Sequence, residues 1–251
     1  MNPNSTPRFM NWRDLIISPA VEFLIFAISA LCTYAVHQRY HPDFFVECLF
    51  FYGIMVGWTL LALKIIRWAL PLKEGVYVYS DNPSVCYRWN LHGLLCATNL
   101  GLHYVNALMP TPLRKTFYQL LGAKMGKGII MIGGRLFDPQ FITLEENVMI
   151  GDDALLTPHT YASIASKDLL ILGKIEIKRG AIIGAKSMIM PGVTVGEGAM
   201  VNAMSLVAMN TKIPAYEIWG GNPAKKIGEI KAPGKMGSAE SIKETEEALR
   251  E

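Results

Sequence analysis

The sequence predicts a parallel β-solenoid with three flat faces, preceded by a helical hairpin apolar enough to enter a bilayer. Counting in sixes from Ile171, positions 171, 177, 183, 189, 195, 201, 207 and 213 read Ile, Ile, Ile, Ile, Val, Val, Val and Ile. Four residues after each stand Ile175, Ala181, Ser187, Val193, Ala199, Ser205, Thr211 and Glu217, mostly small or β-branched. A helix repeats at 3.6 and an ordinary strand at 2, so neither explains a period of six. A coil with one hexapeptide per face does, each rung burying its apolar side against its neighbours. The second observation lies upstream, where 15–36 and 44–63 are apolar runs long enough for a ~30 Å hydrocarbon core. Hydrophobic residues, 51% of the chain, are thus concentrated unevenly.

In chain order, a polar start with Arg8 and Arg13 leads into 15–36, whose one charge is Glu22. No small-residue cleavage site follows and a second apolar run does, which reads as an anchor and not a signal peptide. An intramembrane carboxylate is a functional candidate by default; Glu22 is equally accounted for by a bond to a neighbouring helix. The second run, 44–63, carries Glu47, and Lys64, Arg67 and Lys73 follow it. Basic residues flank the outer ends of both runs, so the positive-inside rule places both termini in the cytoplasm. Segment 91–109 has no formal charge but contains His92, Asn99, His103 and Asn106. It is expected as an amphipathic helix at the membrane surface, with His92 and His103 as interfacial polar residues. A short helix then starts at Thr111-Pro112 and ends at Gly122.

Expected units are a transmembrane hairpin at 1–73, an interfacial linker at 74–124, the β-coil at 125–230 and a polar tail at 231–251. Within the coil, Met125, Met131 and Phe137 share one phase and Leu144, Ile150 and Leu156 the next, with one slip between them. From Leu156 to Ile171 is fifteen residues, so a loop leaves the coil at about 160–170, with His159 at its root. Gly180, Gly184, Gly192, Gly196 and Gly198 are expected at corners of unusual φ/ψ. A net charge of +3 without a concentrated basic face excludes a dedicated nucleic-acid binder. Cys32, Cys48, Cys86 and Cys96 lack CxxC spacing and are expected as buried thiols, neither a disulfide framework nor a zinc site.

The hexapeptide run, Ile189-Met190-Pro191-Gly192-Val193-Thr194-Val195-Gly196 and the ending Gly220-Gly221-Asn222-Pro223-Ala224-Lys225-Lys226 resemble the left-handed parallel β-helix acyltransferases. The chain is most similar to the O-acetyltransferases of the maltose and galactoside type, over about 113–230. The resemblance implies a left-handed helix, acetyl-CoA as acyl donor, a homotrimer with sites between subunits, and His159 as general base. Histidine suits that role by its pKa. It also implies CoA contacts at Ser187, Ser205, Asn210, Thr211 and Lys225, with Lys226 replacing a basic residue where Gly228 stands. Small residues at Ser187 and Ser205 are equally explained by the repeat itself. A γ-class carbonic anhydrase shares such a solenoid but requires three zinc-binding histidines; His159 is the one histidine of the coil, and no metal is expected.

The reading that follows is a multi-pass inner- or plasma-membrane O-acetyltransferase with its coil on the cytoplasmic side. Its acceptor is a membrane-presented sugar, glycolipid or lipid-linked glycan. Two alternatives remain. Membrane segments before a hexapeptide domain also resemble certain nonribosomal-peptide-synthetase-like proteins, where the donor is a carrier-protein thioester. The coil is otherwise a non-catalytic trimeric scaffold.

Overall fold

The computed structural model describes residues 12–101, 109–164 and 167–230. Two long helices open it, α1 (Trp12–Tyr40) and α2 (Phe44–Ala69), packed against each other across a turn at 41–43. Both have the length and apolar composition to cross a membrane. Phe23, Leu24, Phe26 and Leu31 of α1 and Phe44, Phe45, Leu49 and Phe50 of α2 are exposed, an apolar belt that water does not reward. The two carboxylates inside this layer find partners: Glu22 accepts a hydrogen bond from Thr98, and Glu47 pairs with His37. The observed contact of Glu22 is therefore the interhelical one.

A strand at Gly75–Val78 and helix α3 (Pro83–Thr98) follow. Helix α3 packs on α1, on α2 and on that strand, and buries Cys86, Trp89, Leu91, His92, Leu95 and Cys96. His92 is therefore not an interfacial residue: it is 1% exposed, because α3 is covered from several sides. His103 lies outside the described residues. Cysteines 86 and 96 are buried free thiols as expected, but Cys32 is half-buried and Cys48 exposed, because both sit on the apolar outer faces of the hairpin. Helix α4 (Thr111–Leu120) then leads into the coil. Arg67 of α2 donates to the carbonyls of Leu120 and Leu121, satisfying groups that the end of α4 leaves open.

The coil has three faces of parallel two- and three-residue strands. One stacks Met125, Leu144, Ile177, Val195 and Ile213. The second stacks Met131, Ile150, Ile183, Val201 and Trp219. The third stacks Leu136, Leu156, Ile189 and Val207. From Ile177 on, every stacked pair is eighteen residues apart, three hexapeptides per turn. From Leu144, Ile150 or Leu156 to its partner the distance is thirty-three, so the loop between them adds fifteen. Residues 177 to 213 of the aliphatic series are at most 2% exposed, and Ala181, Ser187, Val193, Ala199 and Ser205 of the second series are equally enclosed.

Three expectations shift by a residue or a role. Ile171 is not a rung residue: it belongs to the extruded hairpin His159–Ile164/Lys167–Leu172, whose second strand also pairs antiparallel with Gly75–Val78. Leu136, not Phe137, enters the coil, so the single slip becomes two offsets: five residues from Met131 to Leu136 across Gly133-Gly134, then eight from Leu136 to Leu144 across the 3-10 turn. Gly184 and Gly196 do not have positive φ; they are required because a Cβ would stand 2.4 Å from the Ala203 nitrogen and 2.5 Å from that of Ala215 on the next rung. The coil ends where Glu217–Gly221 turns through the cis Asn222-Pro223 bond and pairs antiparallel with Ala224–Glu229.

Truncating an enclosed rung residue leaves a cavity that stiff neighbouring rungs cannot close. Ile189→Ala should cost about 2–5 kcal/mol, read as a lowered melting temperature of the full chain in detergent. Burial, opposed in part by the charge of Asp138, lowers the His92 pKa from 6.5 to about 4. The unfolded chain therefore takes up a proton that the folded one refuses. Stability should be complete above about pH 7 and fall by up to roughly 3 kcal/mol as pH drops from 6.5 to 4. Denaturation measured across that window for wild type and His92→Gln checks this, the variant giving the flatter profile.

Candidate active site

His159 begins the hairpin that leaves the third face after Leu156. The root is closed by backbone: the Gly173 N–H donates to the Pro158 carbonyl at 2.8 Å, and the Thr157 hydroxyl to the His159 carbonyl at 2.9 Å. The ring is thereby held at a fixed height on the coil, 22% of the side chain remaining accessible.

Its Nδ1 lies 2.5 Å from Oδ2 of Asp138. Asp138 is the residue before a 3-10 turn at Pro139–Phe141, with φ 41° and ψ 61°, and its carboxylate is almost wholly enclosed. The other oxygen, Oδ1, accepts a hydrogen bond from the Trp89 indole N–H at 3.1 Å. One carboxylate thus joins the first rungs of the coil, the root of the hairpin and helix α3. A carboxylate acceptor at Nδ1 selects the tautomer with its proton there, leaving Nε2 with a lone pair.

The imidazole sits among aromatic rings. Trp89 meets it edge-on at 4.8 Å, Phe137 at 6.0 Å and Tyr161 at 6.4 Å between ring centres. Tyr161 also packs on Trp89 and reaches the Tyr79 hydroxyl at 3.5 Å. Burial raises the pKa of both tyrosines, so they stay neutral hydroxyls through physiological pH. Beside this cage a cavity of about 420 Å³ opens between the first turns of α1 and helix α3, with Ser18, Trp89, Gly93, Leu94 and Tyr161 on its wall. Helix α1, α3 and the hairpin therefore enclose this cavity, and Trp89 and Tyr161 stand both on its wall and against the imidazole.

The other expected site residues lie elsewhere. Ser187 and Ser205 point into the coil at 1% and 2% exposure. The Ser187 hydroxyl donates to the Gly184 carbonyl, while that of Ser205 accepts from the Gly221 N–H at 3.1 Å. Both hydroxyls serve corners of the coil, the role the repeat alone assigns them. Asn210 is an exposed corner residue with φ 59°, and Thr211 donates to the Ala208 carbonyl at 2.7 Å. Lys225 and Lys226 are exposed on the return strand. Lys226 lies 2.9 Å from Glu217 and also pairs with Glu229, contacts that raise its pKa and lower that of Glu217. Among the described residues no group of three or more His, Cys, Asp or Glu side chains is arranged to hold a metal ion.

Asp138, Trp89, Tyr161 and Tyr79 escaped the sequence reading. Trp89 and Asp138 are 49 residues apart, and nothing in a hexapeptide count connects a helix to a coil corner. Asp138 stands in the slipped first rungs, where the period carries least information.

No family model matches the chain. It is 28% identical over 191 residues to Delta-poly-L-ornithine synthetase of Acinetobacter baumannii (strain AB307-0294), a match covering 76% of this chain and 14% of that protein. It is 30% identical over 115 residues to "Putative acetyltransferase YvoF" of Bacillus subtilis (strain 168), covering 46% of this chain and 63% of the relative. The chain thus spans well under a fifth and just under two thirds of the lengths of these two relatives. A solved maltose O-acetyltransferase from Clostridium difficile 630 superposes with a TM-score of 0.46 at 16% identity, over 64% of this chain and 95% of that one.

Replacing Trp89 by Phe removes one donor from a buried carboxylate while keeping an aromatic ring. Trp89→Phe should cost about 1–3 kcal/mol. Comparing its denaturation with that of Trp89→Phe/Asp138→Ala checks the cause: the second change should add less to the first than Asp138→Ala costs alone.

Proposed function

We propose that this chain, a homologue of the hexapeptide-repeat acyltransferases, is a membrane-anchored O-acetyltransferase that acetylates a sugar hydroxyl presented at the bilayer. The observation that carries the reading is the His159–Asp138 pair at the root of a hairpin extruded from the coil. In the proposed reaction Nε2 of His159 takes the proton of the acceptor hydroxyl as its oxygen attacks the thioester carbonyl of acetyl-CoA. The tetrahedral intermediate expels the thiolate, the imidazolium returns the proton to sulfur, and the products are the acetyl ester and CoA. Asp138 holds the ring in the required tautomer and balances the imidazolium charge.

The two apolar helices support anchoring as a hairpin, and the basic residues that flank it favour both ends and the coil on the cytoplasmic side, where acetyl-CoA is found. In this reading the coil winds left-handed, and three copies assemble with six spans at their base. The units are the hairpin 1–73, the linker 74–124, the coil 125–230 and the tail 231–251. Exposed Lys225 and the corner Asn210-Thr211 contact CoA near its phosphates, and backbone groups of the coil take over the part first given to Ser187 and Ser205. The cavity between α1, α3 and Tyr161 admits the acceptor from the membrane side.

One observation favours a second donor. A match of 191 residues in a chain of 251 starts no later than residue 61, so the likeness to the polyornithine synthetase extends beyond the coil into α2, α3 and the strand between them. In that reading His159 keeps its role and the thioester arrives on a carrier protein.

Transfer of label from acetyl-CoA to a membrane glycolipid extract, measured with detergent-purified full chain, tests the proposal. His159→Ala should lower the rate about 10²- to 10⁴-fold, and Asp138→Asn should lower it less without abolishing folding. Labelled lipid formed equally by His159→Ala sinks the mechanism. Transfer from an acetylated phosphopantetheinyl carrier, with none from acetyl-CoA, replaces the first donor by the second.

A further inference from the structure

A second cavity of about 420 Å³ lies on the other side of α3, between the C-terminal end of α2, the segment that follows it and the 3-10 turn next to Asp138. Its chemistry differs from that of the largely apolar cavity beside Trp89 and Tyr161. Arg67, Lys73, Arg88 and Lys174 line it, with Glu74 as the opposing carboxylate, 3.0 Å from Lys174. Four cations against one carboxylate leave a positive balance, to which Arg88 and Lys174 add beyond the basic flank of α2.

These cations are not equally engaged. Two guanidinium nitrogens of Arg67 are committed to the end of α4. Arg88 uses Nε on the Ser84 carbonyl at 3.0 Å and one terminal nitrogen on the Pro71 carbonyl at 3.4 Å, which fixes its plane against the cavity wall. Lys73 is exposed at the mouth. The lining therefore offers an exposed ammonium and a guanidinium fixed in its plane, the pair that recognises a compact polyoxygen anion.

Position narrows the anion further. Arg67 and Lys73 stand where α2 leaves its apolar run, the depth at which lipid phosphates lie if the hairpin spans. The cavity shares α3 and the 138–141 turn with the His159 site, whereas the coil end bearing Lys225 contributes nothing to its lining. We propose that this cavity binds the phosphate or diphosphate of a membrane lipid, which identifies the acceptor as a phosphate-linked lipid glycan. The inference rests on the membrane reading above, and its test uses no acyl donor.

Radiolabelled dodecyl phosphate, equilibrated with the full chain in dodecyl maltoside micelles, supplies the lipid arm, and labelled inorganic phosphate the soluble one. Wild type should retain dodecyl phosphate at least about tenfold more tightly than Lys73→Gln/Arg88→Gln, the loss expected for charge-assisted hydrogen bonds. Lys73→Glu, a change at an exposed position, should weaken it comparably, and His159→Ala should bind as wild type does. Equal affinity for inorganic phosphate would overturn the lipid source, and displacement by CoA would assign the cavity to the donor. Retention indifferent to both charge variants would remove the site. Failure here with His159-dependent transfer intact leaves the proposed reaction standing; normal binding with no transfer has the opposite meaning.

Discussion

Each rung of this coil buries its aliphatic side chains only against the rung before and the rung after. From Ile177 on that requirement fixes the step at eighteen residues, and an insertion must leave the coil if the stack is to be kept. The fifteen extra residues between Leu156 and the next turn therefore leave the coil completely, as a hairpin, and return so that Leu156 still stacks on Ile189. The geometry is enforced at close range: a Cβ on Gly173, where the chain re-enters, would stand 2.6 Å from the Gly192 nitrogen of the next rung. A residue at the root of such an excursion is held almost as firmly as the rung itself. His159 occupies that place, so its position follows from core packing and not from loop conformation.

The same logic explains what could be read from the sequence. The stack from Ile177 to Ile213 is legible because every third hexapeptide meets a like neighbour, and the fifteen-residue break announces the hairpin. Ile171 kept the phase by number yet lies in the hairpin, since a strand pairing with Gly75–Val78 tolerates an isoleucine as well as a rung does. Phe137 and Leu136 could not be told apart at the slip, where both are large and apolar. Ser187 and Ser205 look identical whether they serve a ligand or a corner; their burial decides for the corner. Periodicity reports only on neighbours along one face. It is silent about α3, whose contact with Asp138 arises from tertiary packing.

That contact gives the site its character. A buried carboxylate is tolerable when its charge is compensated and its oxygens are bonded. Asp138 meets the condition by dividing its two oxygens between His159 and Trp89. The bond that orients the imidazole and the bond that docks α3 therefore belong to one group, and loss of either leaves the other donor facing an altered charge. Because α3 also packs on α1 and α2, the helical layer and the His159–Asp138 pair are mechanically continuous. The coil alone would present His159 on an open corner. With α3 and Tyr161 in place it lies in an aromatic cage beside a cavity that opens between helices.

The coil's far end bears on the choice between donors. Recognition of free CoA demands cations for its phosphates, yet of the two exposed lysines on the return strand Lys226 is engaged by Glu217 and Glu229. A carrier-borne thioester makes a smaller demand, since the pantetheine arm ends in a single phosphodiester on protein. Four other cations, Arg67, Lys73, Arg88 and Lys174, line the cavity at the foot of α2 and α3, beside the 138–141 turn. In the proposed reading this cavity holds the phosphate of an acceptor that enters by the apolar cavity across α3, so acceptors are told apart by their anionic anchor and donors by the shape of the thioester arm.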